Sequence, residues 1–192
     1  MGILGDSKSG YNPTYDSIYW PGQLFSALND ADNPDKEWSE NWPRDTWAQG
    51  SATVNTIKSS IDANILLHED SVYIDGHIFL INLGANDGPT TVEATWKADY
   101  QYIIDALLVK WPDAKIYLAK PWSRGCDVWR DTQAGWIDDI IALYSGNVLV
   151  GHDERVWMKG ADNGDTMTVD GVHYSTAGHE ECKNQWYAIL HP

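Results

Sequence analysis

Short apolar runs alternate along this chain with longer stretches whose apolar residues recur at helical spacing. Met1–Leu4 predicts a first strand, and Pro21–Asn29 a helix with Leu24, Phe25 and Leu28 on one face and a proline near its start. Between Asp30 and Gly50 the pattern is polar and rich in tryptophan (Trp38, Trp42, Trp47), which predicts a structured loop containing a short buried strand. Val54, Ile57, Ile61 and Ile65 mark a helix over Val54–Leu67, and the unbroken HIFLINL run at His77–Leu83 a buried strand. A long helix follows over Val92–Lys110, stopped by Trp111-Pro112-Asp113. Lys115–Ala119 predicts the next strand, Val128–Tyr144 a helix and Val148–Val150 a last strand. Glu154–Val169 reads as an acidic loop, and a final helix spans about Ser175 to Leu190.

Strands that alternate with helices form a parallel sheet with helices packed on it, so the fold class is α/β. Nothing in the 192 residues marks a repeat, a linker or a low-complexity segment, and the chain is expected to be one domain spanning 1–192. The polar interruptions fall after strands and before helices, where open α/β sheets place their ligand crevices.

Four of those interruptions carry residues that suit the splitting of an ester. GDSKS at 5–9 offers the hydroxyl of Ser7 after a tight turn. QGSAT at 49–53 offers the backbone N–H of Gly50, where the lack of a side chain lets a ligand approach. GAND at 84–87 offers the side-chain amide of Asn86, with Asp87 expected to hold the loop. DGVH at 170–173 offers a carboxylate and an imidazole three residues apart, a spacing that can put Asp170 and His173 on one side of a tight turn. A serine hydroxyl becomes a useful nucleophile only when a base removes its proton and a third group orients that base. Ser7, His173 and Asp170 are candidates for those three roles. The N–H groups of Ser7 and Gly50, with the Asn86 amide, are candidate donors to the oxyanion that forms. Each motif alone has an ordinary structural explanation as a turn, a cap or a surface residue; only the four together, in this order, point to ester chemistry.

These blocks resemble the SGNH, or GDSL-type, hydrolase family, with Ser7, Gly50, Asn86 and His173 at the four name-giving positions, from Gly5 to Gly178. The resemblance implies a flavodoxin-like three-layer α/β/α sandwich with a central parallel sheet. It also implies ester hydrolysis through an acyl-enzyme, with no metal and no cofactor. Two features depart from the family pattern. The strand before GDSKS has only four residues, and QGSAT lies in a tryptophan-rich loop rather than the usual Asn-x-Gly setting.

Composition bears on the substrate. A net charge of −15 argues against nucleic acid and anionic membrane surfaces as partners, and no apolar run is long enough to cross a bilayer. The GDSKS motif follows Met1 almost at once, so no signal peptide is expected in this chain. The chain holds 11 Trp and 10 Tyr against 2 Phe, a preference for rings with a polar edge, which suit sugar-stacking clefts. Polar, aromatic segments surround the motifs, and from them Tyr11, Trp47 and Trp122 are candidate substrate contacts. The expected function is a carbohydrate esterase removing small acyl groups, most simply acetyl. The alternatives are a lysophospholipase or thioesterase of the same family, or a catalytically dead carbohydrate-binding scaffold. An extracellular or phage-associated setting fits this composition.

Several other residues invite a reading. Lys8 is expected at the surface, within reach of an anionic substrate group. His152-Asp153 and Asp162-Asn163-Gly164-Asp165 look superficially like metal-site fragments, yet lack a second histidine or a downstream bidentate glutamate. Asp75-Gly76-His77 reads as a turn. Cys126 and Cys182 lie 56 positions apart, and spacing alone leaves their pairing open.

Overall fold

The computed structural model describes residues 1–9, 19–30, 46–63, 78–144, 146–158 and 166–192. Five parallel strands form one sheet in the order β2-β1-β3-β4-β5: β1 (Gly2–Gly5), β2 (Thr46–Ala48), β3 (Ile78–Asn82), β4 (Lys115–Lys120) and β5 (Val148–Asp153). This is the flavodoxin-like order, whose switch point lies between β1 and β3. Its helices are α1 (Trp20–Asp30), α2 (Val54–Asp62), α3 (Glu93–Lys110), α4 (Asp127–Leu143), α5 (Glu154–Met158) and α6 (Thr176–Leu190).

Side chains on successive strand residues point to opposite faces, so a strand buried on both faces feeds two cores. Leu4, Phe79, Ile81, Ile116 and Leu118 join Ile57, Tyr100, Ile104, Leu107, Ile137 and Ile140 under α2, α3 and α4. Their neighbours Ile3, Leu80 and Ala119 join Trp20, Leu24, Trp157 and Trp186 under α1, α5 and α6. Two separate apolar cores on the two faces of one parallel sheet are the three layers that the family resemblance implied. Many of the tryptophans belong to these cores: Trp20, Trp96 and Trp186 are among the largest fully buried side chains.

The predicted elements are found with small changes of boundary. The short buried strand foreseen before Gly50 is β2. Two readings need correction. The last strand runs to Asp153 rather than Val150, so His152 lies within it, and the chain then turns directly into α5 where a loop was expected. Glu154 is fully buried there, and the partners that bury it come from distant segments. The end of the Val54–Leu67 helix, Trp38 and Trp42, Tyr11, Asp75–His77 and Asp162–Asp165 lie outside the described residues. No helix among the described residues is long and apolar enough to cross a membrane.

Gly5 ends β1 where a side chain would have no room. A Cβ there would lie 2.3 Å from Ser9 Oγ, 2.4 Å from Ser9 Cβ and 3.2 Å from the carbonyl of Asn82 on the paired strand. Gly5→Ala must therefore push the turn away from the sheet, and it should lower stability by about 1–3 kcal/mol, as overpacking does. Urea unfolding of the two proteins measures the difference; equal midpoints would show that the turn yields freely.

Candidate active site

All strands are parallel, so GDSKS after β1, QGSAT after β2, GAND after β3 and the loop after β4 emerge at one edge of the sheet. Hydrogen bonds join them. The Gln49 N–H donates to the carbonyl of Gly5 at 3.1 Å, tying QGSAT to the end of β1. The Asn86 amide donates to the carbonyl of Ala52 at 3.0 Å, and the Val54 N–H donates to Asp87 Oδ2 at 3.2 Å, tying GAND to QGSAT. Asp87 thus holds the loop, as its place in the motif predicts. Asn86 spends one of its two amide hydrogens on Ala52, and the side chain is fixed in direction by that bond.

Ser7 lies in a turn closed by the Ser9 N–H on the Asp6 carbonyl at 3.0 Å, with the Lys8 N–H on Asp6 Oδ1 at 2.9 Å. Ser7 is half-buried between a buried Asp6 and a buried Lys8. Gly50 is exposed in the next turn, where Ala52 N–H donates to the Gln49 carbonyl and Ser51 takes a φ of 61°. Among the described residues, no atom lies within 4 Å of the place a Gly50 Cβ would occupy, so their packing does not demand glycine there.

His173 and Asp170 are both exposed and in contact, with Nδ1 of the imidazole 2.6 Å from Oδ2 of the carboxylate. The other oxygen, Oδ1, accepts the backbone N–H groups of Val172 at 2.9 Å and His173 at 2.8 Å. The hydrogen bonds from the His173 side chain and backbone, and from Val172, hold the Asp170 carboxyl well below its usual range. It therefore stays ionised wherever the imidazole must be oriented. Nδ1 is engaged by Asp170, which leaves Nε2 as the nitrogen able to exchange a proton with another group. Ser175 caps α6 immediately afterwards, accepting the Gly178 N–H at 3.2 Å, and fixes where this loop ends.

Two further histidines, His152, which the sequence singled out, and His179, which it did not, are buried. His152 is buried, its ring edge-on to Trp186 and its Nε2 3.6 Å from Cys182 Sγ, and burial pulls its pKa down to about 4. Burial likewise holds His179 at about 4, with Nδ1 accepting the Trp20 N–H at 3.3 Å. No cluster of three metal-ligating side chains occurs among the described residues. Cys126 and Cys182 are both free thiols.

Two expected surface contacts are corrected. Lys8 is fully buried: its ammonium reaches Glu154 Oε2 at 2.5 Å and the Trp122 carbonyl. Trp122 is 5% exposed, packed in the core with Trp157 and Tyr174, and its indole N–H donates to Asp127 at 2.8 Å. A ring so enclosed presents no open face to a sugar. Trp47 lies on β2, and its side chain is outside the description, as is all of Tyr11.

Sequence reading missed a second tier of residues that build the site from below. Arg130, on α4, is buried and donates to the carbonyls of Gly84 at 2.7 Å and Ala85 at 2.5 Å, and to Ser123 Oγ. It thereby fixes GAND and the loop after β4 together. Glu154 accepts from Lys8, from the Trp122 N–H at 2.7 Å, from Asn82 at 3.0 Å and from the Tyr174 hydroxyl. Burial alone pushes the Glu154 carboxyl up, but the Lys8 ammonium and these donors outweigh it and hold it below its ordinary value. The partners lie 20 to 146 positions away in sequence, so no local pattern marks them.

No family model matches this sequence, and no curated protein does. Solved structures do match in shape. A carbohydrate esterase of family 3 from Talaromyces cellulolyticus is 15% identical, with a TM-score of 0.70 over 98% of this chain and 94% of that one. TesA is 17% identical, with a TM-score of 0.69 over 99% and 97%. Axe2, an acetylxylan esterase from Geobacillus stearothermophilus, is 15% identical, with a TM-score of 0.67 over 99% and 93%. At this identity the likeness is one of fold: the chain has the SGNH hydrolase fold, an α/β architecture shared with esterases.

Asp6 yields a test of the site's electrostatics. Burial pushes its pKa from 3.8 to about 6, against the pull of the Lys8 ammonium and N–H, and its Oδ2 has no hydrogen-bond partner among the described residues. The folded state holds this proton more tightly than the unfolded chain, so the stability it confers is present below about pH 4 and is lost as pH rises through about 6. Asp6→Asn keeps an oxygen for the Lys8 N–H and carries no charge. It should be more stable than wild type at pH 7 by roughly 1–3 kcal/mol, with the gap closing toward pH 4. Thermal melts across that range decide it; a gap that widens on acidification would contradict the buried, proton-hungry carboxyl.

Proposed function

We propose that this chain is a serine esterase that removes small acyl groups, acetyl first among them, from a carbohydrate. The observation that carries the reading is the engaged, exposed His173–Asp170 pair, in a loop whose Gly171 carbonyl accepts the Arg124 N–H from the segment after β4. The esterases that share the fold, among them a carbohydrate esterase and an acetylxylan esterase, support it. The small-acyl and sugar preference draws further support from the polar, aromatic segments around Ser7 and Gly50.

In this reading Nε2 of His173 takes the Ser7 proton as Oγ attacks the ester carbonyl. Negative charge moves to the carbonyl oxygen and is met by the N–H groups of Ser7 and Gly50 and the Asn86 amide. Donors already aimed at a developing charge need no rearrangement during reaction, and losing one typically costs about 3–4 kcal/mol of barrier. The tetrahedral intermediate collapses, the C–O bond to the sugar breaks, and the imidazolium returns its proton to the leaving alcohol. Water then attacks the acyl-enzyme with His173 again as base, releasing the acid and restoring Ser7. Asp170 keeps the imidazole oriented and stabilises its charged form.

Hydrolysis of p-nitrophenyl esters from two to twelve carbons tests the proposal. Activity should be confined to the shortest chains, and Ser7→Ala or His173→Ala should lower kcat by several orders of magnitude, as in other triads. A peak at eight carbons or longer would move the substrate to lipids or thioesters, and absence of turnover on every ester would favour a binding scaffold.

Asp170 is held ionised well below the usual carboxylate range and should add no limb to the acid side of the kcat/KM profile.

A further inference from the structure

The buried ion pair of Lys8 and Glu154 lies outside the reacting groups, yet it is tied to the segments that carry Ser7 and His173. Glu154 Oε2 receives the Lys8 ammonium at 2.5 Å and the Trp122 N–H at 2.7 Å; Oε1 receives the Asn82 amide at 3.0 Å and the Tyr174 hydroxyl. Lys8 also donates to the Trp122 carbonyl, and its ammonium lies 5.5 Å from the centre of the Tyr174 ring. Both charged side chains have no solvent exposure. Lys8 follows Ser7 in sequence, and Tyr174 follows His173. The candidate nucleophile and the candidate base are therefore each one residue from a group held by the same carboxylate.

We infer that Glu154, through Lys8 on one side and Tyr174 on the other, is a positioning residue that sets the separation of Ser7 from His173. The inference rests on the triad reading above. A buried carboxylate with four donors has little freedom to move, because any displacement strips it of bonds that water cannot replace. Its two attachments lie on opposite sides of the reaction, so slack in either one loosens the approach of the hydroxyl to Nε2. Misplacement of that kind acts on the chemical step rather than on substrate binding. Core packing on both faces of the sheet holds the fold without this clamp, which separates positioning from stability.

The test uses p-nitrophenyl acetate, with melting temperatures recorded alongside kinetics. Tyr174→Phe removes one tie and leaves the ring in its packing. It should lower kcat at least tenfold, with KM within twofold of wild type and the melting temperature nearly unchanged. The second variant replaces both charges together, as Lys8→Met with Glu154→Leu, which leaves no uncompensated charge in the interior. The change also removes the acceptor of the Trp122, Asn82 and Tyr174 donors, so its melting temperature should fall. It should fold, and its kcat should fall further than that of Tyr174→Phe. Unchanged kcat in either folded variant, or a change confined to KM, overturns the inference while leaving the esterase reading intact. Wild-type turnover that survives Ser7→Ala overturns both.

Discussion

An ammonium and a carboxylate, both withdrawn from water, meet directly beneath the turn that carries Ser7, and much of this molecule's site is arranged around them. Withdrawing two ions from water costs several kcal/mol each, and a buried pair recovers this only when the remaining lone pairs and protons are also matched. Here they are. The Glu154 carboxylate accepts from Lys8, Asn82, Trp122 and Tyr174, and these residues come from the first turn, the end of β3, the loop after β4 and the loop before α6. The arrangement contributes definition rather than net stability. The apolar cores hold the sheet and helices together, while the ion pair allows the loops at its edge only one mutual arrangement.

Above this pair, the site repeats the same logic at smaller scale. Arg130 pins GAND and the loop after β4 through backbone carbonyls, and Asp87 pins GAND to the start of α2. The Asn86 amide is aimed by its bond to Ala52. Arg130 and Asp87 are buried supports. The side chains proposed for chemistry are different: Ser7 is half-buried, and His173 and Asp170 are exposed. Rigid support below and accessible groups above are what a preorganised hydrolytic centre needs.

How much of this was legible in the sequence follows from how locally each feature is encoded. Strand and helix identities were, because a run such as HIFLINL and the spacing of Val54, Ile57 and Ile61 carry their own periodicity. The turns that hold the motifs were too, since polar interruptions of such runs advertise themselves. The Asp170–His173 contact spans three residues and could be anticipated. Lys8 was not: a lysine in a polar turn reads as solvated, and its partner lies 146 positions away. Trp122 failed for the opposite reason, since its polar neighbours suggested a wet surface while its ring packs in the core among Trp157 and Tyr174. Glu154 opened what read as an acidic loop, and nothing in that loop's composition marks it as a carboxylate that turns inward.

The central claim is that Ser7 is the nucleophile and His173 its base, and chemical trapping tests it most directly. A phosphonate ester with a p-nitrophenyl leaving group should modify one residue per chain, and peptide mass spectrometry should place the adduct on Ser7, with modification abolished in His173→Ala. Inactivation accompanied by an adduct on any other residue, or labelling of Ser7 that proceeds equally fast without His173, would contradict the account.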